Sequence, residues 1–392
     1  MSTVSKSILV GTRKGTFIVD KVNGRWRPRL AGHGGQGVNF VARDPDSGTL
    51  WSALGHGHWG AKLSRSTDGG QTWTDAPTQI KYPEGARHFV PPMPTEDGST
   101  TGAVVVKDAT LLKLWIIEFG PSGRVYVGTI PGGLFISQDG GETFELNRGL
   151  WNHESRGGDL FAGEGSGMTH WFGTPAAVDS GEFAPGIHSI VVDPRNPKRI
   201  LIAISTAGVL ESTDGGETWQ GRNRGMLNDY LPEPEAEWGH DPHFVTLSTG
   251  QPDHVWQQNH CGVFYSSDGA KTWSRVSQPD NGVHFGFPIA ADDHDGKTAW
   301  VVPGKADMAR MTIDGALFVA RTSDGGQSWV QQREGLPQEN AYDVVYRHAL
   351  HNSGELVAFG STTGNLYVSE NRGDSWMAVA NNLPPVYSVR FG

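Results

Sequence analysis

Histidine is the side chain to follow in this 392-residue sequence, because fifteen are present and several stand where a repeated fold would gather them. Imidazole ligates divalent metals and exchanges protons near neutral pH. His188, His243 and His284 each open an apolar stretch, and His260 lies in Gln257-Gln-Asn-His-Cys-Gly262. Held around one point, these four would ligate a divalent ion such as Zn, Mn, Fe or Ni. A metal so placed polarises a carbonyl or activates water, which serves hydrolysis or β-elimination. His240 and Asp241 stand just before His243. His260 and Glu339 are the candidates for proton transfer. Arg13, Asn39, Trp115, Asn259, Asn340, Tyr342 and Tyr387 are the candidates for holding a polar substrate. No local spacing such as H-x-x-x-H ties the histidines together, so the bland alternative is a set of imidazoles bonded to neighbouring loops. Cys261, beside His260, is either a nucleophile with its base or a packed strand residue; adjacent strand residues point apart, which favours packing.

What must position these residues is a repeat. Ser212-Thr-Asp-Gly-Gly-Glu-Thr-Trp219 has variants at Ser66–Trp73, Ser137–Phe144, Ser266–Trp273, Thr322–Trp329 and Ser369–Trp376. Asp and Gly at the centre suit a tight hairpin turn, and the closing aromatic supplies packing surface. Upstream of each lies an apolar strand, a loop and a second apolar strand, as in Arg124–Ser137. A seventh copy without the octapeptide spans Ser7–Val19, with Asn23-Gly24 as its turn and Trp26 as its aromatic. Seven units in 392 residues allow 56 residues each, enough for a four-stranded blade. The expected fold is all-β: a seven-bladed β-propeller occupying residues 1–392 as a single domain.

A further strand precedes most units, expected at Val38–Ala42, Leu114–Phe119, His188–Val192, His243–Leu247, His284–Ala290 and Tyr342–Tyr346. The first unit lacks one, and the C-terminal Val386–Phe391 is expected to pair beside Ile8 and close the ring in the first blade. The octapeptide turns then occupy the bottom face. The second-to-third-strand loops and the inter-blade connections occupy the top. Long connections at 74–113, 145–186 and 220–242 enlarge that top face. Aligning the innermost strands on their following turns puts Asn39, Trp115, His188, His243, His284, Tyr342 and Tyr387 around the channel mouth.

Composition narrows the function classes. The net charge of −10 argues against nonspecific nucleic-acid binding. One cysteine excludes an internal disulfide framework and suits a reducing compartment. Met1–Lys6 is too short and polar for a signal peptide, and no apolar run is long enough to span a membrane. The expectation is a cytoplasmic protein without membrane or nucleic-acid partners.

The octapeptide resembles the Asp-box, or BNR repeat, of sialidase-type β-propellers. That resemblance covers most of the chain and implies a propeller; unrelated activities share it. Sialidases of this type carry an early Phe/Tyr-Arg-Ile-Pro segment and three substrate arginines. Arg25-Trp-Arg-Pro28 is not that segment, so sialidase activity is not expected. Leu9–Gly15, Gly186–Ser189, Gln257–Gly262, Phe285–Pro288 and Glu339–Asp343 resemble single-domain bacterial BNR-like repeat proteins of unsettled activity. Photosystem-assembly propellers and xyloglucan hydrolases are similar in fold. Two functions are therefore carried forward: binding or turnover of a small polar, carbohydrate-like ligand at the mouth, as a metal-assisted hydrolase or lyase, and a non-catalytic scaffold for protein partners.

Overall fold

The computed structural model describes residues 7–56, 60–90, 105–158, 170–171, 174–175, 183–230 and 232–392. Parts of the long connections 74–113, 145–186 and 220–242 lie outside the described residues, as does Met1–Lys6. Seven four-stranded antiparallel sheets follow one another as the blades of a β-propeller. Their innermost strands, in blade order one to seven, are Val386–Phe391, Gly37–Arg43, Lys113–Gly120, Ile187–Asp193, Pro242–Ser248, Gly286–Ala291 and Leu350–Ser353. Among the described residues, no helix is long and apolar enough to cross a membrane.

Ring closure follows the expected pairing. Val386–Phe391 lies antiparallel to Ile8–Thr12, with Ile8 opposite Phe391 and Val10 opposite Val389. The first blade is thus assembled from both ends of the described chain, and Val10 and Val389 are fully buried. A second tie joins the last blade to the first: Glu370 accepts from Lys21 Nζ at 2.5 Å and from Trp26 Nε1 at 2.8 Å.

The octapeptide turns repeat one hydrogen-bond pattern. In Ser137–Phe144, the Ser137 hydroxyl donates to Asp139 Oδ1 at 2.7 Å and accepts from the Gly141 amide at 2.8 Å. Asp139 also accepts from the Thr143 amide at 2.9 Å and from the Thr143 hydroxyl at 2.6 Å. The Thr143 hydroxyl, the Thr143 amide and the Ser137 hydroxyl hold the Asp139 carboxyl down to about 2. Blade seven keeps the pattern with an amide, as Asn371 Oδ1 accepts from the Ser375 amide at 3.0 Å while its Nδ2 donates to the Ser375 hydroxyl at 2.9 Å. The closing tryptophans link blades: Trp73 Nε1 donates to Ala31 O at 2.9 Å, Trp273 Nε1 to Arg222 O at 2.8 Å and Trp329 Nε1 to Val276 O at 3.1 Å. Gly141, at φ 83°, sits where a Cβ would overlap the Trp51 ring.

One expected strand is corrected. Residues 342–346 form no strand; the innermost strand of blade seven is Leu350–Ser353, eight residues after the expected start. The turn it leads into is Asn352-Ser-Gly-Glu355, which is the correct anchor for its register.

Candidate functional site

A bulge in the innermost strand sets the channel mouth. In blades two to five the strand pairing skips one residue each time: Asn39, Trp115, His188 and His243. Blade one skips Tyr387, and blade six skips Phe287 and Pro288. A bulged residue leaves the ladder, and its side chain is re-aimed. In blades one to six these bulges lie at the top end of the strand and set unlike side chains around the upper end of the axis; the blade-seven pairing has none. Five of the seven expected positions coincide with bulges. His284 and Tyr342 do not: Phe287 takes the place of the first, and in blade seven Arg347 stands next to the axis instead of the second.

Below this layer the channel is filled. The His348 ring, from blade seven, meets Phe40 of blade two at 5.2 Å and Phe244 of blade five at 5.4 Å between centroids. Its Nε2 donates to His188 O at 2.7 Å. Arg390 stacks on Phe40, 4.7 Å from the ring centroid. Side chains of blades one, two, five and seven therefore meet at the axis beneath the bulge layer.

Asp241, His243 and His260 form the densest chemical cluster. Their ligand atoms all lie within 4.8 Å of one another, and no other group of three His, Cys, Asp or Glu does so among the described residues. Asp241 Oδ2 is 3.6 Å from His243 Nε2 and 3.4 Å from His260 Nδ1. Asp241 Oδ1 is held by the Thr206 amide at 3.1 Å, and Asp241 O accepts from the His260 amide at 2.9 Å. His243 lies within 2.6 Å of Gly286 O through Nδ1; a carbonyl only accepts, so the hydrogen-bond network assigns the proton to Nδ1. His243 also stacks on Phe287 with centroids 4.7 Å apart.

Electrostatics differ among the three. Burial lowers the His243 pKa, with Asp241 opposing. Contact with Asp241 raises that of His260 against its partial burial. Burial works against the Asp241 carboxylate, yet His243 and His260 outweigh it and hold its pKa below the usual carboxylate range.

His260 joins this cluster to a cleft of about 200 Å³ between blades five and six. Tyr230, Cys261, His284, Phe285 and Asp307 line it. The His260 Nε2 is 4.0 Å from Asp307 Oδ2, and Asp307 is itself paired with Arg310 at 2.5 Å. The top of the ring thus combines a polar cluster at the axis with an open groove beside it.

The four histidines expected to share one metal are not gathered as a set. His243 and His260 meet, with Asp241 as their third member. His284 lies across the cleft, 3.3 Å from the Ser277 hydroxyl. His188 is fully buried, its Nδ1 3.0 Å from the Ser189 hydroxyl. Glu339 and Asn340 are exposed and lie in the segment before the shifted blade-seven strand. Asn340 borders a separate surface groove with Asp343 and Asn365, and Tyr342 is 60% exposed. None of these three makes a hydrogen bond to the cluster, which corrects the placement the early strand start had given them. Asn259 is buried and shapes its own loop: its Nδ2 donates to Gln257 Oε1 at 2.7 Å, and its Oδ1 accepts from the Cys261 amide at 3.0 Å. Asn39 bridges blades by donating to Leu114 O at 3.2 Å. Arg13 is exposed, and Tyr387 is half-buried with its ring 6.0 Å from Tyr346. Cys261 is 3% exposed, and burial pushes its thiol up, away from thiolate chemistry.

Arg347 and Lys113 are the site residues that sequence pattern missed. Arg347 Nε donates to His243 O at 2.9 Å, and its guanidinium lies 4.8 Å from the Trp115 ring centroid and 5.7 Å from that of Phe287. Lys113 Nζ lies 5.2 Å from the same Trp115 ring. Burial, then Arg347, brings the Lys113 pKa down to about 8; burial brings Arg347 down to about 10. Anchoring blade seven on the turn Asn352–Glu355 would have found Arg347. Asp241 had a local signal in its two-residue spacing from His243.

No family model matches the chain. A xyloglucanase of Paenibacillus sp is 24% identical over 238 residues, which are 52% of this chain and 22% of that protein. The chain thus spans about a fifth of that relative's length. The GH74 enzyme of Niastella koreensis superposes with a TM-score of 0.50 at 16% identity, over 98% of this chain and 66% of that one. An ancestral GH74 enzyme superposes with a TM-score of 0.54 at 18% identity, over 92% and 40%. The structural likenesses support the propeller fold, and the sequence relationship to xyloglucanases is distant.

Proposed function

We propose that this protein binds and turns over a small, carbohydrate-like ligand at the top of the ring, as a hydrolase or lyase assisted by a divalent metal. The observation that carries the reading is the Asp241–His243–His260 cluster opening onto the cleft between blades five and six. Its two contacts, 3.4 and 3.6 Å, are long for hydrogen bonds yet suit donors sharing one ion at about 2.0–2.2 Å. His243 supports this further. With its proton on Nδ1 toward Gly286 O, Nε2 is the nitrogen left to ligate an ion. A backbone carbonyl holding the far nitrogen of a ligating histidine is a common arrangement.

Asp241, His243 and His260 would hold the ion. When bound, the ion would polarise the scissile group and stabilise negative charge developing on it. Phe287 is largely buried and stacks on His243, so it braces the cluster from one side. The Thr206 amide fixes the Asp241 carboxylate, and Gly286 O fixes the His243 ring, so the donors are set before the ligand arrives. The distant likeness to xyloglucanases supports a carbohydrate ligand. A protein-binding scaffold is the second reading. It draws on Met308, Tyr230 and Met311, which are 96%, 72% and 39% exposed around the same cleft.

The test is elemental analysis of protein purified without a polyhistidine tag, followed by assays on neutral and acidic oligosaccharides. The expected result is about one divalent ion per chain, lost in Asp241→Asn, with turnover lost in parallel. Absence of bound metal and of measurable affinity for Zn, Mn, Fe or Ni would remove the metal-assisted reading. A partner whose binding is abolished by Met308→Ala yet survives Asp241→Asn would favour the scaffold.

A further inference from the structure

We infer that the mouth recognises an anionic group on its ligand, a carboxylate or a phosphate, through Lys113 and Arg347. This rests on the reading that the mouth binds a ligand at all. Lys113 opens the innermost strand of blade three, and Arg347 reaches over from blade seven. Both cations lie against one ring: Lys113 Nζ at 5.2 Å and the Arg347 guanidinium at 4.8 Å from the Trp115 centroid. Neither makes an ion pair among the described residues. Arg347 spends Nε on the His243 carbonyl at 2.9 Å, and its terminal nitrogens have no hydrogen bond among the described residues.

Several other partly buried cations are answered by carboxylates, while Arg156 and Arg390, which have no ion pair among the described residues, donate to backbone carbonyls. Arg199 pairs with Asp193 at 2.8 Å and with Glu211 at 2.6 Å, Arg222 pairs with Glu211 at 2.5 Å, and Arg372 pairs with Asp292 at 2.8 Å. Two like charges held against one ring repel each other, and partial burial adds to the cost. In a chain of net charge −10, this convergence at the mouth runs against the overall balance. The carboxylate near Arg347 is Asp241, whose Oδ2 already faces two imidazoles. An anion arriving from solution would meet the terminal nitrogens of Arg347 and the Lys113 ammonium together. A planar carboxylate or a phosphate suits the guanidinium fork, with the ammonium as a second point charge. The sugar body attached to it would lie outward, over the mouth.

The test is calorimetric titration at fixed ionic strength with glucuronate, glucose 6-phosphate, inorganic phosphate and glucose, on wild type, Lys113→Met and Arg347→Gln. Thermal melts of both variants confirm folding. An acidic sugar is expected to bind at least about tenfold tighter than glucose, and each variant to weaken the acidic sugar about tenfold more than it weakens glucose. Which acidic sugar binds tighter separates carboxylate from phosphate recognition. Inorganic phosphate binding as well as glucose 6-phosphate would show that the sugar adds nothing, and would overturn the sugar part of the inference. Equal affinity for acidic and neutral sugars would overturn the inference while leaving the ligand reading intact. Binding of none of the probes would remove both.

Discussion

At the bottom of the ring, Ser137, Asp139 and Thr143 answer one another within eight residues, and five further copies of that turn do the same with small substitutions. At the top, the equivalent positions of the blades hold Asn39, Trp115, His188, His243, Phe287, Arg347 and Tyr387. The bottom repeats because each turn satisfies itself; side chain and backbone partners are local, so one solution serves six of the seven blades. The top diverges because in six blades a bulge frees side chains from the ladder, and their partners then come from other blades. Arg347 meets Trp115, His243 and Phe287, which belong to three different blades. Repetition marks the part of the molecule that holds the ring, and its loss marks the part where the proposed site lies.

This contrast predicts that substitutions in the closure and the bottom turns cost stability without touching the mouth. The largest effect is expected at the seam. Val389→Asp buries a charge between the first and last strands and should cost about 4 kcal/mol or more, measured by urea denaturation. Gly141→Ala comes next. It forces a Cβ against Trp51 at a left-handed φ and should cost about 2–4 kcal/mol, with metal affinity in the folded fraction unchanged. A change in metal affinity there would break the separation of the two faces. His260→Ala is the converse: metal affinity should fall at least about a hundredfold while the denaturation midpoint moves little, because removing a ligand acts on the ion rather than on the ring. A collapse of the fold in that variant would make the histidine structural instead.

The smallest effect sharpens the account of the bottom turns through pH. The folded Asp139 carboxyl is held at about 2, below its unfolded value. Its contribution is therefore full above the unfolded pKa and is lost as pH falls from about 4 toward about 2. The same direction holds at Asp68, Asp214, Asp268 and Asp324. Asp139→Asn, which copies Asn371 of blade seven, should leave stability near pH 7 almost unchanged. It should also make the acid limb of the denaturation midpoint shallower. An unaltered acid limb would show that the turn carboxylates do not control acid unfolding.

The ring itself was legible because its signals are local and repeated: six octapeptides, a seventh unit marked by Trp26, and a spare C-terminal strand for the unit that lacked one. The mouth was legible only where a strand could be anchored. Asn39, Trp115, His188, His243 and Tyr387 were placed correctly because well-marked turns follow their strands. Blade seven was not, since residues 342–346 look as apolar as a strand while Leu350–Ser353 is short. That slip hid Arg347 and promoted Glu339, Asn340 and Tyr342. In blade six, the strand starts after His284, so the imidazole falls on the cleft wall and Phe287 enters the bulge. Asp241 escaped the first set of ligands because its partners are set by bulge geometry, which leaves no period in the sequence.

The most direct test is anomalous diffraction at the metal edge from crystals grown with zinc or manganese. One peak is expected between Asp241 Oδ2, His243 Nε2 and His260 Nδ1, at about 2.0–2.2 Å from each. Crystals without such a peak, in which Asp241 closes onto the two imidazoles in direct hydrogen bonds, would contradict the account.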